Sequence, residues 1–130
     1  MSNLFNIDIV NPEKSFLSKN DVIEVVIPAV EGEIGILKDH ISIISFLKPG
    51  IIKVYSDTEE QNFYVEDGIV EFKDNTLSVL TSSIFDLKDA DKNFVSESIS
   101  SAETELSKED IDDQKRFLLN HKVEILKSIN

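Results

Sequence analysis

The chain has no cysteine and no tryptophan, only three prolines and four glycines, and few basic residues. Each shortage excludes something. Without cysteine there is no disulfide framework, no thiolate metal site and no cysteine nucleophile, and the composition suits a reducing compartment. The roughly 20 consecutive apolar residues of a membrane-spanning helix occur nowhere, so direct membrane insertion is not expected. The opening MSNLFNIDIV lacks the basic flank and apolar core of a secretion signal, which predicts a protein of cytoplasmic type. Against 25 Asp and Glu stand 13 Lys and Arg, a formal charge of −12. Nucleic acid and anionic lipid headgroups both call for a basic stripe, so neither is an expected partner.

What is present is a chain of 130 residues with 41% hydrophobic content, long enough for one compact unit with an aliphatic core and phenylalanine anchors. Its first part runs with a period of two. Phe5, Ile7 and Ile9 alternate with polar residues up to a turn at Asn11-Pro12, and Ile23, Val25 and Ile27 lead to Pro28. Ile52 and Val54, Phe63 and Val65, Val70 and Phe72, and Leu77 and Val79 continue the series, with Ile84 at its end. Asp74-Asn75 reads as a two-residue hairpin turn, because both residue types tolerate the left-handed conformation it needs. About ten short strands at such spacing predict a β-sandwich of two sheets with antiparallel pairing as the default. Ile43, Ile44, Phe46 and Ile51 are expected to fill the space between those sheets.

After Leu87 proline and glycine vanish and the period changes. Val95, Ile99, Ala102 and Leu106 make a helical stripe, and Ile111, Leu118, Ile125 and Ile129 continue at helical spacing. Ser107, three residues before Asp110, reads as the cap of a second helix. The division expected is a β-sandwich over 1–86 and an antiparallel helical hairpin over 87–130. Ten acids between Asp86 and Asp113 are followed by a basic set, Lys115, Arg116, Lys122 and Lys127, with Glu124 alone opposing it. That set fits docking on an acidic surface. It fits equally a solvated face that complements the first helix and the C-terminal helix dipole.

Chemistry-bearing patterns are thin. Glu31, Glu33, Asp39 and His40 cluster in sequence, but the second histidine is the distant His121. No zinc-protease, nucleophile-elbow, phosphate-loop or calcium-loop motif occurs, and the Gly32–Gly35 run lacks the third glycine of a dinucleotide fingerprint. No catalytic residue, metal site or cofactor is expected.

The most informative segment is PAVEGEIGILKDHISIISFLKPG, Pro28 to Gly50, whose glycine spacing suits short strands and specified turns rather than a helix. Its Glu31-Gly32-Glu33-Ile34-Gly35-Ile36-Leu37, then His40, then Leu47-Lys48-Pro49-Gly50, resembles the signature of the epsilon-subunit family of F-type ATP synthases, called delta in mitochondria. NIDIVNPEKSFLS, with Asp8, Val10, Pro12 and Glu13, resembles that family's opening, and EDGIVEFKDNTLSVLT, with Gly68, Glu71, Val79 and Leu80, its later hairpin. Asp39 stands where the family usually has glycine, and Ile41-Ser42 replace its proline or alanine. An unrelated cytoplasmic β-sandwich adaptor with a docking hairpin would account for composition and period, though not for this ordered match.

The resemblance implies a non-catalytic rotor subunit of the central stalk of the proton-translocating synthase. It would be peripheral, on the cytoplasmic face of the inner membrane or on the matrix side in a eukaryote. The implied partners are the gamma subunit, the membrane c-ring and, through the hairpin, the catalytic alpha/beta head. Carried over by position, Glu31, Gly32, Glu33 and His40 would contact the c-ring, while Lys115, Arg116, Lys122 and Lys127 would serve a hairpin that restrains ATP hydrolysis. Some bacterial members bind ATP through a motif at the start of the first helix. The aligned residues Ala90–Val95 keep only Asp91, with Phe94 at the arginine position, so weak or no ATP binding is expected.

Overall fold

The computed structural model describes residues 3–129. Its described residues form nine strands followed by two helices: β1 (Phe5–Asn11), β2 (Lys14–Ala29), β3 (Gly32–Leu37), β4 (Ile43–Leu47), β5 (Gly50–Ser56), β6 (Glu60–Val65), β7 (Gly68–Lys73), β8 (Thr76–Leu80), β9 (Ile84–Asp86), α1 (Lys92–Leu106) and α2 (Asp113–Ile129). A β-sandwich followed by a helical hairpin is thus borne out.

The two layers of the sandwich are hydrogen-bonded into one network. Strand order runs β1-β8-β7-β4-β2-β5-β6-β9, β3 attaches to β2, and β1 also pairs with β2. Strand β2, 16 residues long, is the common member: it meets β1 early in its course and β3, β4 and β5 later. The expected antiparallel default holds except at β1 and β8, which lie parallel, with Ile7 beside Leu77 and Ile9 beside Val79. They are far apart in sequence, so no tight hairpin constrains their direction.

Alternation places Phe5, Ile7, Ile9, Val25, Ile27, Ile52, Val54, Phe63, Val70, Phe72, Leu77 and Val79 inside, as their period of two requires. Phe5 meets Phe72 edge to face at 5.7 Å, and Phe16 meets Phe63 at 5.5 Å. Three expectations fail on strand parity. In β4 it is Ser45 and Leu47 that face inward, which turns Ile44 and Phe46 outward, 70% and 59% exposed. A register shift between Val22 and Glu24 buries Val22 and leaves Ile23 half-buried, because a bulge reverses the alternation that follows it. Ile51, expected between the layers, instead packs under the helices.

Turn chemistry is local and behaves as expected at the β7–β8 hairpin, where Asp74 and Asn75 take φ of 52° and 56°. At the β1–β2 turn the Asn11 side chain accepts from the Glu13 amide at 3.0 Å.

After β9 a turn of 3-10 helix, Leu87–Asp89, leads to α1, whose first turn is capped by Asp91 accepting from Phe94 N at 2.6 Å. Ser107 is the C-cap of α1, not the start of the second helix. Helix α2 begins at Asp113 behind an Asp112 cap that accepts from Lys115 N at 2.7 Å, since Asp112 lies within reach of free first-turn amides. The α1 stripe buries Val95 and Ala102, whereas α2 is anchored by Val123 and Leu126, with Leu118, Ile125 and Ile129 half-buried beside them.

The hairpin docks on the outer side of β5, β6 and β9 through a second apolar cluster around Tyr64, Val95 and Leu126, joined by Ile51, Phe85, Leu87, Ile99, Ile125 and Ile129. Tyr64 is buried there with its hydroxyl unpartnered among the described residues. Burial, reinforced by the charge of Glu66, pushes its phenol well above the ordinary 10. The neutral form is therefore the one the fold favours. Its contribution is complete below pH 10 and is lost as pH rises toward the folded value. We expect stability in urea to fall between pH 10 and pH 12 in the parent chain. Tyr64→Phe should remove the Tyr64 part of that fall and cost little at neutral pH, since it deletes an unsatisfied hydroxyl.

Candidate functional site

Two features of the outer surface have the geometry of contact sites: the edge strand β3 with its flanking turns, and an apolar row across β1, β8, β7 and β4.

The β3 region is built by the Pro28–Gly50 segment. Gly32 begins β3 at φ 136°, a conformation that residues with a side chain rarely adopt, and this closes the β2–β3 turn. Gly50 is required for a different reason: a β-carbon there would lie 2.5 Å from Pro28 Cβ. This close approach lets Lys48 N donate to Pro28 O at 3.0 Å and Val30 N to Phe46 O at 2.9 Å, tying the turn to β4 and β5. Gly35 lies within β3, opposite Val26, rather than at a turn.

Ser45, buried and pointing inward, donates to both carboxylate oxygens of Glu31, at 2.7 and 3.1 Å. That bond, followed by one from Glu31's own backbone, holds the exposed Glu31 carboxyl below the usual carboxylate range. Glu31, Gly32 and Glu33 sit together at this end. His40 does not join them. It lies past the far end of β3, beyond five strand rises, or about 17 Å. There its ring meets Phe72 edge-on at 5.9 Å, and its Nδ1 is 2.7 Å from the Ile41 carbonyl. Among the described residues strand β3 pairs only with β2, so these four residues mark the two ends of one free edge rather than a single loop tip.

The apolar row was not foreseen. Register aligns Val10 with Leu80, Leu80 with Ile69, and Ile69 with Phe46, so that four side chains run across β1, β8, β7 and β4. They are 39%, 51%, 44% and 59% exposed. Three of them, Leu80, Ile69 and Phe46, line a shallow groove of about 550 Å³ with Pro12, Leu47 and Gly68. Large apolar side chains in contiguous register on a surface signal an interface. Period-two counting could have found the outward parity of each residue, but not the pairing of distant strands.

The basic hairpin residues are engaged within this arrangement. Lys122 Nζ pairs with Glu66 at 2.8 Å, Lys115 with Glu105 at 3.4 Å, and Lys127 with Glu103 at 3.9 Å, while Arg116 donates to Leu106 O at 3.2 Å. At the start of α1, Phe94 meets Phe85 edge to face at 5.1 Å, and Phe85 packs on Tyr64 at the same distance. Among the described residues no group of three or more His, Cys, Asp and Glu is placed to hold a metal, and no helix is long and apolar enough to cross a membrane.

Residues 4–86 match the family model described as the ATP synthase delta/epsilon chain β-sandwich domain. Over 130 residues, all of both chains, the sequence is 65% identical to the ATP synthase epsilon chain of Pelagibacter ubique (strain HTCC1062). The chain belongs to the ATP synthase delta/epsilon family. A second epsilon chain, from Rhodopseudomonas palustris (strain BisA53), is 32% identical over 103 residues, covering 79% of this chain and 76% of that one. The fold is also that of a chain in the Euglena gracilis mitochondrial ATP synthase OSCP/F1/c-ring structure, with a TM-score of 0.74 at 18% identity, covering 98% of this chain and 79% of that one. A chain of the Tetrahymena thermophila mitochondrial ATP synthase central stalk and c-ring gives 0.67 at 17% identity, covering 95% and 93%. Membership in the delta/epsilon family bears out the resemblance carried by the Pro28–Gly50 segment and disfavours the unrelated adaptor. Members are non-catalytic subunits of the synthase.

The Ser45–Glu31 bond has a direct readout. Ser45→Ala should raise the Glu31 pKa toward the ordinary carboxylate value, observed by carboxyl-carbon NMR titration, while other carboxylates stay put. The parent bond weakens as pH falls through the lowered Glu31 value, so the variant should differ from the parent mainly above that range.

Proposed function

We propose that this chain is a rotor subunit of the central stalk, seated between the gamma subunit and the c-ring, with its hairpin directed to the alpha/beta head. The observation that carries the reading is the four-strand apolar row Val10, Leu80, Ile69 and Phe46, a pre-formed, rigid surface of the kind a permanent partner covers. Gamma is the partner assigned to it. The free edge of β3 is assigned to the polar loops of the c-ring, with Glu31, Gly32 and Glu33 at one end of the contact and His40 at the other. Charged groups on such an edge set register more than affinity, and a rigid edge transmits torque without slipping. The subunit is peripheral, on the cytoplasmic or matrix side of the coupling membrane.

Residues 87–130 act as a second working unit on the sandwich of 1–86. The hairpin rests on a compact apolar cluster and one close ion pair, Lys122–Glu66, an attachment small enough to be exchanged for another. On leaving the sandwich, Lys122 loses Glu66 and joins Lys115, Arg116 and Lys127, whose bonds to Glu105, Leu106 O and Glu103 lie within the hairpin, as the basic set that faces acidic surfaces of the head. Phe94, its ring committed to Phe85, gives this attachment an aromatic contact at the position where ATP-binding members carry arginine.

The double change Phe46→Asp and Ile69→Asp should lower co-purification with gamma by tenfold or more, about 1.4 kcal/mol at least, because it places charge at the centre of the row. Both side chains are exposed, so the thermal midpoint of the isolated chain should stay within a few degrees. Undiminished gamma binding would sink the assignment. Truncation after Asp86 should leave the complex assembled and raise its ATP hydrolysis rate several-fold; an unchanged rate would make the hairpin purely structural.

A further inference from the structure

The turn joining β3 to β4 contains a residue in an unfavourable conformation. Asp39 has φ 67°, in the left-handed region that glycine enters freely and other residues enter at a cost, Asn and Asp least reluctantly. Its environment compensates through one distant residue. Asp39 N donates to Asn75 Oδ1 at 2.7 Å, and Asn75 Nδ2 donates back to Asp39 Oδ1 at 3.0 Å, a reciprocal pair across 36 positions of sequence. The Asn75 carbonyl accepts from Asn6 N at 3.0 Å. Asn75 itself sits at φ 56° in the β7–β8 turn, so its side chain is presented by a fixed backbone. One side chain thus fastens the turn carrying His40 to the corner where β1 begins and β7 meets β8.

We infer that Asn75 is a positioning residue for the ring-facing edge, holding the far end of β3 as Ser45 holds the near end through Glu31. The inference rests on the proposal above that β3 faces the c-ring. A free edge fixed at one end would splay under load, and the opposite end is fastened by this clamp, with the His40 N to Leu37 O bond at 3.1 Å and the His40–Phe72 ring contact at 5.9 Å beside it. Asp39 also explains why a clamp is needed here: a residue with a β-carbon at φ 67° must be held in place, whereas glycine would take the conformation unaided.

The test uses the His40 amide, whose acceptor is Leu37 O and not Asn75, so its exchange reports the order of the whole turn. Asn75→Gly keeps the β7–β8 turn, since glycine accepts its backbone angles, and deletes only the clamp. In the full chain it should speed His40 amide exchange about tenfold, the loss expected for a net hydrogen-bond contribution near the upper end of the usual range. Adding Asp39→Gly should return exchange to within about threefold of the parent, because the strained residue is gone. In the assembled synthase, Ile41→Cys, in a chain otherwise without cysteine, should crosslink to the c-ring in the parent background, less in Asn75→Gly, and again in the double variant. Crosslinking from Glu33→Cys, at the end held by Ser45, should be unmoved by any of these changes. No acceleration of exchange in Asn75→Gly overturns the clamp, whatever β3 faces. Accelerated exchange with no ring crosslink from position 41 even in the parent background overturns the ring-facing assignment, and with it the positioning role.

Discussion

Strand β2 is the constraint on which the rest of the structure depends. Its 16 residues belong to both layers of the sandwich, bonding β1 in the early part and β3, β4 and β5 in the later part. A strand that serves two layers must turn its buried side as it passes between them, and the register shift between Val22 and Glu24 does this. Val22, Val25, Ile27 and Ala29 can then all be buried on one strand. The contact surfaces follow from that course. Where β2 ends, Pro28 packs against Gly50, and the same close approach presents Glu31 to Ser45 and leaves β3 as an edge.

Both proposed contact surfaces are rigid because they are carried by strands of the core. The apolar row consists of the outward partners of buried residues: Ile9 and Val79 point in where Val10 and Leu80 point out, and Leu47 and Val70 do the same for Phe46 and Ile69. Displacing the row would require moving the core. The β3 edge has less behind it, since β2 is its only strand partner among the described residues, and side-chain bonds at its two ends make up the difference. For a part proposed to carry torque, that distribution of stiffness is the relevant property.

The hairpin is held differently. Its fully buried residues are few, Val95, Ala102, Val123 and Leu126, and its ion pairs with Glu103 and Glu105 are internal to the hairpin and exposed, hence weak. What fastens it to the sandwich is the cluster around Tyr64 and Leu126 together with Lys122–Glu66. Helices whose buried face is this narrow keep their structure through their own pairing, as the proposed exchange of one apolar surface for another requires. The Tyr64 hydroxyl, unpartnered among the described residues, further limits how tightly the docked arrangement is held.

Period and turn chemistry made most of the architecture legible. Alternating Phe5, Ile7 and Ile9, the Asp74-Asn75 turn and the Val95–Leu106 stripe are local patterns, and the structure keeps them. The ordered motif from Pro28 to Gly50 carried the family. Errors arose wherever a non-local fact sets parity or partner. Ile44 and Phe46 looked like core because apolar residues fill the run, yet the inward place belongs to Ser45, whose hydroxyl is satisfied by Glu31 from another turn. Ser107 looked like a cap because its spacing to Asp110 is right, yet Asp112 reaches the amides of the helix that forms.

Sequence alone therefore determined element type, order and family, because backbone preference and hydrophobic period act over a few residues. Tertiary structure alone decided the rest. It brought Val10, Leu80, Ile69 and Phe46 into one row, placed His40 at the opposite end of β3 from Glu31, and closed Asp39 onto Asn75. Each of those depends on which strands lie side by side, and strand order is set by how one core can be covered, a condition on the whole chain that no short segment contains.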